Sequence, residues 1–159
     1  MRVAEQASLL IQKRRSADDP SICRLAAQAF TEYDGHAAAT MQRLVQRGTT
    51  WVAWSGSKLV GFATVHPTHP DRADLCAIAV DEDARGVGVG RALLAHVELT
   101  VVRAGLSEIK LHTAQSNVAA LELFLKCGFH VVGRMPRFYR GMYDACAMCK
   151  VVGSRRTAK

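Results

Sequence analysis

Residues 80–91 read Val-Asp-Glu-Asp-Ala-Arg-Gly-Val-Gly-Val-Gly-Arg, and no other stretch of the chain carries as much chemistry. Gly86, Gly88 and Gly90 lie between an apolar run, residues 75–80, and an amphipathic one that starts at Val89. A glycine-rich turn between strand and helix leaves several backbone N–H groups pointing one way, and the helix dipole adds partial positive charge at the same place. Without side chains in between, a phosphate can come close to the main chain. Arg85 and Arg91 flank the turn and can add charge-assisted hydrogen bonds. The segment reads as a pyrophosphate cradle; a plain glycine turn is the alternative that these residues alone leave open.

The elements that must position this turn follow from periodicity and punctuation. Residues 9–13 read as a first strand. Asp19-Pro20 starts a helix, with Asp19 as cap and Pro20 at the first helical position, running to about residue 30. A second helix over 37–47 stops at Gly48. Strands over 50–54 and 59–65 are joined by Ser55-Gly56-Ser57-Lys58 as a hairpin. His66-Pro67-Thr68-His69-Pro70 reads as a loop. Residues 75–80 read as a strand buried on both faces. Val89, Leu93, Val97 and Val101 form the core stripe of a helix that ends near Gly105. A strand over 109–113 precedes a helix capped by Asn117, with Ala120, Leu121, Phe124 and Leu125 as its apolar face. Gly128 ends that helix and lets Phe129 fold back on it. Strands over 129–133 and 145–151 close a single α/β domain spanning 1–152, with a basic, disordered tail at 153–159.

The composition narrows the partners. The chain has 159 residues, 49% of them hydrophobic, which suits one globular domain with a real core. No run has the length of a membrane span, and no secretory signal is visible. The cysteines, Cys23, Cys76, Cys127, Cys146 and Cys149, are odd in number, which points to free thiols in a reducing cytoplasm. The net charge is +7, with basic clusters at 13–15, 134–140 and 155–159. Aromatic content is only 6% and no basic helix stands out, so a polyanionic small ligand is favoured over nucleic acid.

Two segments together resemble one family. Arg85-Gly86-Val87-Gly88-Val89-Gly90 is similar to the R/Q-x-x-G-x-G/A signature of the GNAT acetyltransferases, following Ala79-Val80-Asp81 and opening a helix. Further on, Asn117-Val118-Ala119-Ala120 leading to Leu123-Phe124-Leu125-Lys126-Cys127-Gly128-Phe129 resembles that family's N-x-x-A…GF helix. The closing stretch, 137–148, with Tyr139, Tyr143 and Asp144-Ala145…Met148, is similar to the ends of N-terminal protein acetyltransferases such as the ribosomal-protein alanine type. The resemblance implies a mixed, largely antiparallel central sheet of six to seven strands flanked by about four helices. It implies acetyl-CoA as donor and no metal. The backbone of Ile78, Ala79 and Val80 would pair with the pantetheine arm, and the Val80 N–H could polarise the thioester carbonyl. Residues 86–91 would hold the pyrophosphate, Asn117 would bond a cofactor amide, and Lys126 could meet a phosphate. A tyrosine-rich loop around Tyr139 would help line the acceptor site.

An amine must lose a proton before it attacks a thioester, and the departing thiolate benefits from an acid. His112 is the first candidate base: it precedes Asn117 on the strand beside the cofactor, where the alanine-acetylating relatives usually carry glutamate, and imidazole titrates near neutrality. Its other reading is a structural strand histidine. Asp74, acting through water, is the alternative base. Phe124 departs from the family, because many relatives carry a tyrosine there that protonates the thiolate; its ring can still pack against the pantetheine. Tyr139, then Tyr143, are the replacement acids. The Cys146–Cys149 pair has C-x-x-C spacing on a strand, which turns the two thiols to opposite faces and argues against a metal site. His66 and His69 read as loop residues, and Trp51 and Trp54 as hairpin packing.

The sequence therefore predicts an N-acetyltransferase acting on a protein N-terminus or another primary amine. A CoA-binding regulatory module with little turnover is the alternative, favoured by Phe124 and opposed by His112. A dinucleotide oxidoreductase needs G-x-G-x-x-G, and Gly88-Val89-Gly90 is followed by Arg91, Ala92 and Leu93 instead. A homodimer is compatible with the chain.

Overall fold

The computed structural model describes residues 8–30, 37–139 and 141–153, with the backbone alone at 37–41. Of the tail expected at 153–159, residues 154–159 with their basic cluster lie outside the described residues, as does Arg140. Among the described residues seven strands form one sheet: β1 (Leu9–Lys13), β2 (Thr49–Ser55), β3 (Lys58–His69), β4 (Arg72–Val80), β5 (Glu108–Ala114), β6 (His130–Tyr139) and β7 (Tyr143–Val151), in the order β1-β2-β3-β4-β5-β7-β6. Every neighbouring pair is antiparallel except β4 with β5. This is the mixed, largely antiparallel sheet expected from the sequence.

The helices α1 (Asp19–Ala29) and α2 (Ala37–Arg47) lie over β2 to β4 on one face, and α3 (Val89–Arg103) packs on the other. The stripe Val89, Leu93, Val97 and Val101 is buried as its spacing predicts, against Ala63, Val65, Leu75 and Ile109. On the opposite face Ile22, Leu25 and Ala26 of α1 meet Val52, Phe62, Ala77 and Ala79. The helix α4 (Val118–Lys126) contributes Phe124 to the α3 side. The Lys150 ammonium of β7 reaches the Glu98 carboxylate of α3 and the Cys127 carbonyl at the end of α4, so one charge ties three elements together.

Four expectations change. Asp18, not Asp19, caps α1; its buried carboxylate closes a short 3-10 turn over Ser16–Asp18 by accepting the Arg15 N–H at 2.8 Å. The expected loop at 66–70 is mostly strand, because β3 continues to His69 against β4. Beyond Val65 the strand has lost β2 as a partner, so Pro67 sits on a local edge where a missing N–H is tolerated. Leu125 is exposed rather than on the buried face of α4.

The fourth change shapes the site. β4 is not buried on both faces; it alternates, and one residue breaks the alternation. Val65 pairs with Leu75 and Thr64 with Ala77, which leaves Cys76 as an extra residue in a β-bulge. Ala73 and Leu75 therefore face α3, whereas Ala77 and Ala79 face α1. Ile78 and Val80, beyond the bulge, pack on the α3 side. Burial, then the neighbouring Asp74 carboxylate, pushes the Cys76 thiol up to about 11, so it stays protonated at neutral pH.

Candidate functional site

The parallel strands β4 and β5 pair only over Arg72↔Glu108, Ala73↔Ile109 and Asp74↔Lys110. Past Asp74 they part, and the gap opens at the bulge. The register says which backbone groups look into it. The Asp81 N–H donates to the Val60 carbonyl at 2.8 Å, one step beyond the pair Val80↔Gly61. Val80 and Gly61 are thus a non-hydrogen-bonded pair, and Ala79 and Phe62 exchange the ladder bonds. The N–H and C=O of Ile78 and Val80 consequently turn away from β3 toward the gap. Ala79 is different from the expectation: its backbone belongs to the β3 ladder, and only its neighbours can pair with an extended ligand.

The glycine turn leads out of this edge. Asp81 starts it, accepting the Asp83 N–H at 3.0 Å and pairing with Lys58 at 3.2 Å. Those two contacts, the backbone bond first, hold the Asp81 carboxyl below the usual carboxylate range. Arg85 Nε donates to the Val80 carbonyl at 3.3 Å and folds the turn back on the strand. Gly86 and Gly88 have φ of +81° and +91°, left-handed values that disfavour any side chain, and a Cβ on either would meet nothing within 4 Å. Their surroundings are open, as a ligand cradle requires. Gly90 serves packing instead: a Cβ there would come within 2.8 Å of Leu123 Cδ2, so its absence lets α3 lie against α4. Gly88 caps α3 without a side-chain acceptor. The first N–H groups of the helix thus receive no side-chain cap from Gly88 and face the turn.

Asn117 caps α4, its Oδ1 accepting the Ala120 N–H at 3.2 Å. Replacing a capping asparagine by alanine costs about 1 kcal/mol. Asn117→Ala is expected to lower the urea midpoint accordingly, with Asn117→Ser retaining most of the stability. An alanine variant as stable as the parent would show the cap to be idle.

The cleft between these elements has a volume of about 580 Å³. It is lined from both sides of the sheet: by Ala29 and Phe30 at the end of α1, and by Val89, Gly90, Leu123 and Lys126 from α3 and α4. Ile78, Ala79, Val80, Ala84, Arg85, Gly86, Gly88, Arg91, Asn117, Ala119, Ala120 and Glu122 complete it. Two expected cofactor contacts lie outside this wall. Val87 points to solvent, and Phe124 is buried edge-on against Phe129, ring centroids 5.7 Å apart. Leu123, one step round the helix, occupies the cleft side that the sequence reading gave to Phe124.

The other candidates gather beside the gap on the α1 face. Ile109 and Leu111 are in the α3-side core, so Lys110 and His112 project to the opposite face, and Asp74 does so from β4. His112 is held below its ordinary range by burial first, then by the Lys110 ammonium and Arg72, with the Asp74 carboxylate opposing. Asp74 accepts from Thr68 Oγ1 at 3.1 Å and lies 3.8 Å from Arg72 Nε, too far for a hydrogen bond. The Phe138 ring lies on the His112 imidazole, centroids 5.0 Å apart and 15° from parallel. Tyr139 meets Phe138 edge-on at 4.9 Å, so the expected acid is one aromatic ring removed from the expected base. Neither His112 nor Tyr139 lines the cleft. Tyr143 pairs with Tyr139 across the turn of the hairpin.

Sequence reasoning missed Phe30, Leu123 and Phe138. Leu123 and Lys126, with Ala119, fall on one face of α4 at i, i+4 and i+7, a spacing that could have marked them. No local signal marks Phe138, because its contact depends on how β6 bulges. Among the described residues, no group of three or more His, Cys, Asp and Glu side chains is placed to hold a metal ion, and no helix is long and apolar enough to cross a membrane.

Comparison with known proteins gives consistent results. Residues 20–129 match the model of the acetyltransferase (GNAT) family. The N-alpha-acetyltransferase RimI of Mycobacterium tuberculosis is 35% identical over 78% of this chain and 80% of its own length. A mycothiol acetyltransferase of Geodermatophilus obscurus is 29% identical over 73% of this chain. The chain spans under two thirds of the length of two of the curated relatives it matches, 64% of one and 42% of the other. The solved structure of the ribosomal-protein-S18-alanine N-acetyltransferase from Escherichia coli superposes with a TM-score of 0.80 at 24% identity, covering 96% of this chain and 99% of that one.

Proposed function

From the premise that this chain belongs to the GNAT acetyltransferase family, we propose that it transfers the acetyl group of acetyl-CoA to the primary amine of a protein or peptide N-terminus. The observation that carries the reading is the gap between β4 and β5, continuous with an uncapped helix N-terminus and two left-handed glycines. An extended pantetheine arm would pair with the N–H and C=O groups of Ile78 and Val80 as a further strand. Its pyrophosphate would cap α3, with Arg85, Arg91 and Lys126 adding charge. Asn117 would meet the pantetheine amide. The Val80 N–H would then stand where the thioester carbonyl develops negative charge.

Because the cleft is lined from both faces of the sheet, donor and acceptor enter from opposite sides and meet at the gap. On the acceptor side His112, kept neutral by its surroundings, takes the proton of the attacking ammonium or of a water beside it. Asp74 is the second base candidate, through water. The amine nitrogen bonds to the acetyl carbon, the C–S bond breaks, and CoA leaves as thiolate or, if Tyr139 supplies a proton, as thiol. The five cysteines are all free thiols, which suits a cytoplasmic protein.

A peptide N-terminus is favoured as acceptor by the hairpin between β6 and β7, which presents Phe138, Tyr139 and Tyr143 beside the gap. The decisive experiment is an acceptor panel with acetyl-CoA supplied: peptides with alanine, serine, glycine or methionine at the N-terminus, an N-blocked lysine peptide, and small amino-sugars. The expected result is turnover on free N-terminal peptides. Turnover confined to small amines would overturn the acceptor, and tight CoA binding with no turnover on any member would favour the regulatory module.

A further inference from the structure

We propose that Phe138 is a positioning residue for His112, held over the imidazole by the Asp144 carboxylate. The proposal rests on the reading of His112 as base and adds the device that orients it.

The hairpin is irregular in a particular way. Met135 pairs with Ala145 and Tyr139 with Tyr143, so residues 136–138 of β6 stand opposite Asp144 alone. Within this wide bulge Arg137 has φ of +53°, a left-handed value on a residue that carries a side chain. Such a conformation costs roughly 1–2 kcal/mol and persists only where its surroundings impose it. Here the imposing group is Asp144. Its Oδ1 accepts the Arg137 N–H at 2.9 Å, and its Oδ2 accepts from Arg134 at 2.6 Å. The backbone bond, ahead of the Arg134 contact, holds the Asp144 carboxyl below the usual carboxylate range. The Asp144 carbonyl in turn accepts the Gln115 N–H at 2.9 Å, which fastens the hairpin to the segment between His112 and Asn117.

The consequence falls on the next residue. With Arg137 turned left-handed, Phe138 leaves the ordinary strand alternation and lies flat on His112, although 44% of its surface is exposed. An exposed phenylalanine recovers little by burial; the face of this one is laid on an imidazole, and Tyr139 meets it edge-on. The stack fixes the ring plane of His112 and shields one face from water, leaving the ring edge as its route to a proton. Lys110 from its own strand and Asp74 and Arg72 from β4 are the charged groups around it, and β7 brings only Ala147 opposite.

Two measurements on the full chain test this. Protons held over the face of a phenyl ring are shielded, so the carbon-bound imidazole protons of His112, identified by their loss in His112→Gln, should resonate upfield of the other histidines. Phe138→Leu should abolish that shift. Asp144→Ala should abolish it too, with the phenyl ring still present. Asp144→Asn keeps an oxygen for the Arg137 N–H, and Arg134→Gln removes only an exposed ion pair; both should retain the shift. With the acceptor that turns over in the panel, Phe138→Leu and Asp144→Ala should lower kcat by about tenfold with the KM for acetyl-CoA unchanged, and Phe138→Trp should restore activity. A retained upfield shift in Asp144→Ala overturns the anchoring, and full kcat in Phe138→Leu overturns the positioning role. If instead His112→Ala is fully active, the base reading fails, a result separate from the proton shifts, which report the stack without any turnover.

Discussion

Gly88→Glu is expected to abolish acetyl-CoA binding. Gly88 stands at the left-handed step where the turn enters α3, and the space beside it is open. A glutamate would place a carboxylate where the pyrophosphate must sit. Two unit charges of like sign about 4 Å apart repel by about 4 kcal/mol at the effective dielectric of a protein surface, which is roughly a thousandfold in affinity. The side chain also denies the phosphate its approach to the N–H groups. Calorimetric titration with acetyl-CoA reads the effect directly. Gly88→Ala separates charge from strain: its Cβ meets no neighbour, so its cost is the left-handed backbone, roughly 1–2 kcal/mol of stability. It should melt earlier and still bind. Unchanged affinity in the glutamate variant would refute the cradle.

His112→Ala should lower kcat/KM at neutral pH by about a hundredfold or more, the lower range of what a positioned general base contributes. Affinity for acetyl-CoA should hardly change, because His112 is not among the residues that line the cleft. The pH dependence carries a sign. Burial, then the Lys110 ammonium, depress the His112 pKa, so the neutral, proton-accepting form persists to lower pH than in a free histidine. The acidic limb of kcat/KM should therefore lie below that of a free imidazole, with activity lost as pH drops through it. Lys110→Met removes a positive neighbour and should move that limb to higher pH. An alanine variant that kept the parent's limb would transfer the role to Asp74.

Much of the cleft was legible because its residues are local. Gly86, Gly88 and Gly90 announce a turn by composition, and Asn117 and Gly128 bracket one helix by capping chemistry alone. The three glycines nevertheless act in two ways, and only packing separates the backbone requirement at 86 and 88 from the helix contact at 90. Phe124 shows where local reasoning stops. A motif aligns it with a catalytic tyrosine, but the Phe129 ring folding back over Gly128 draws it into the core, and Leu123 takes the cleft face. The acceptor side was less legible for a physical reason. The stack of Phe138 on His112 joins two strands that do not pair with each other, and it depends on a bulge and on one left-handed arginine. None of these has a sequence signature. The strand over 66–69 was hidden likewise by Pro67, which a local edge can absorb.

The bulge at Cys76 couples the length of this strand to its shape. Side chains alternate along β4 with a period of two, and the extra residue exchanges the two faces for everything after it. If Cys76 were drawn into the regular ladder with the chain length unchanged, Ala77 and Ala79 would turn toward α3. Ile78 and Val80 would be carried to the α1 side, and the N–H groups that now look into the gap would be returned to the β3 ladder. Removing Cys76 together with the bulge would instead leave both faces as they are, because Leu75 and Ala77 would then follow one another opposite Val65 and Thr64. The extra residue and the bulge can therefore be lost only together.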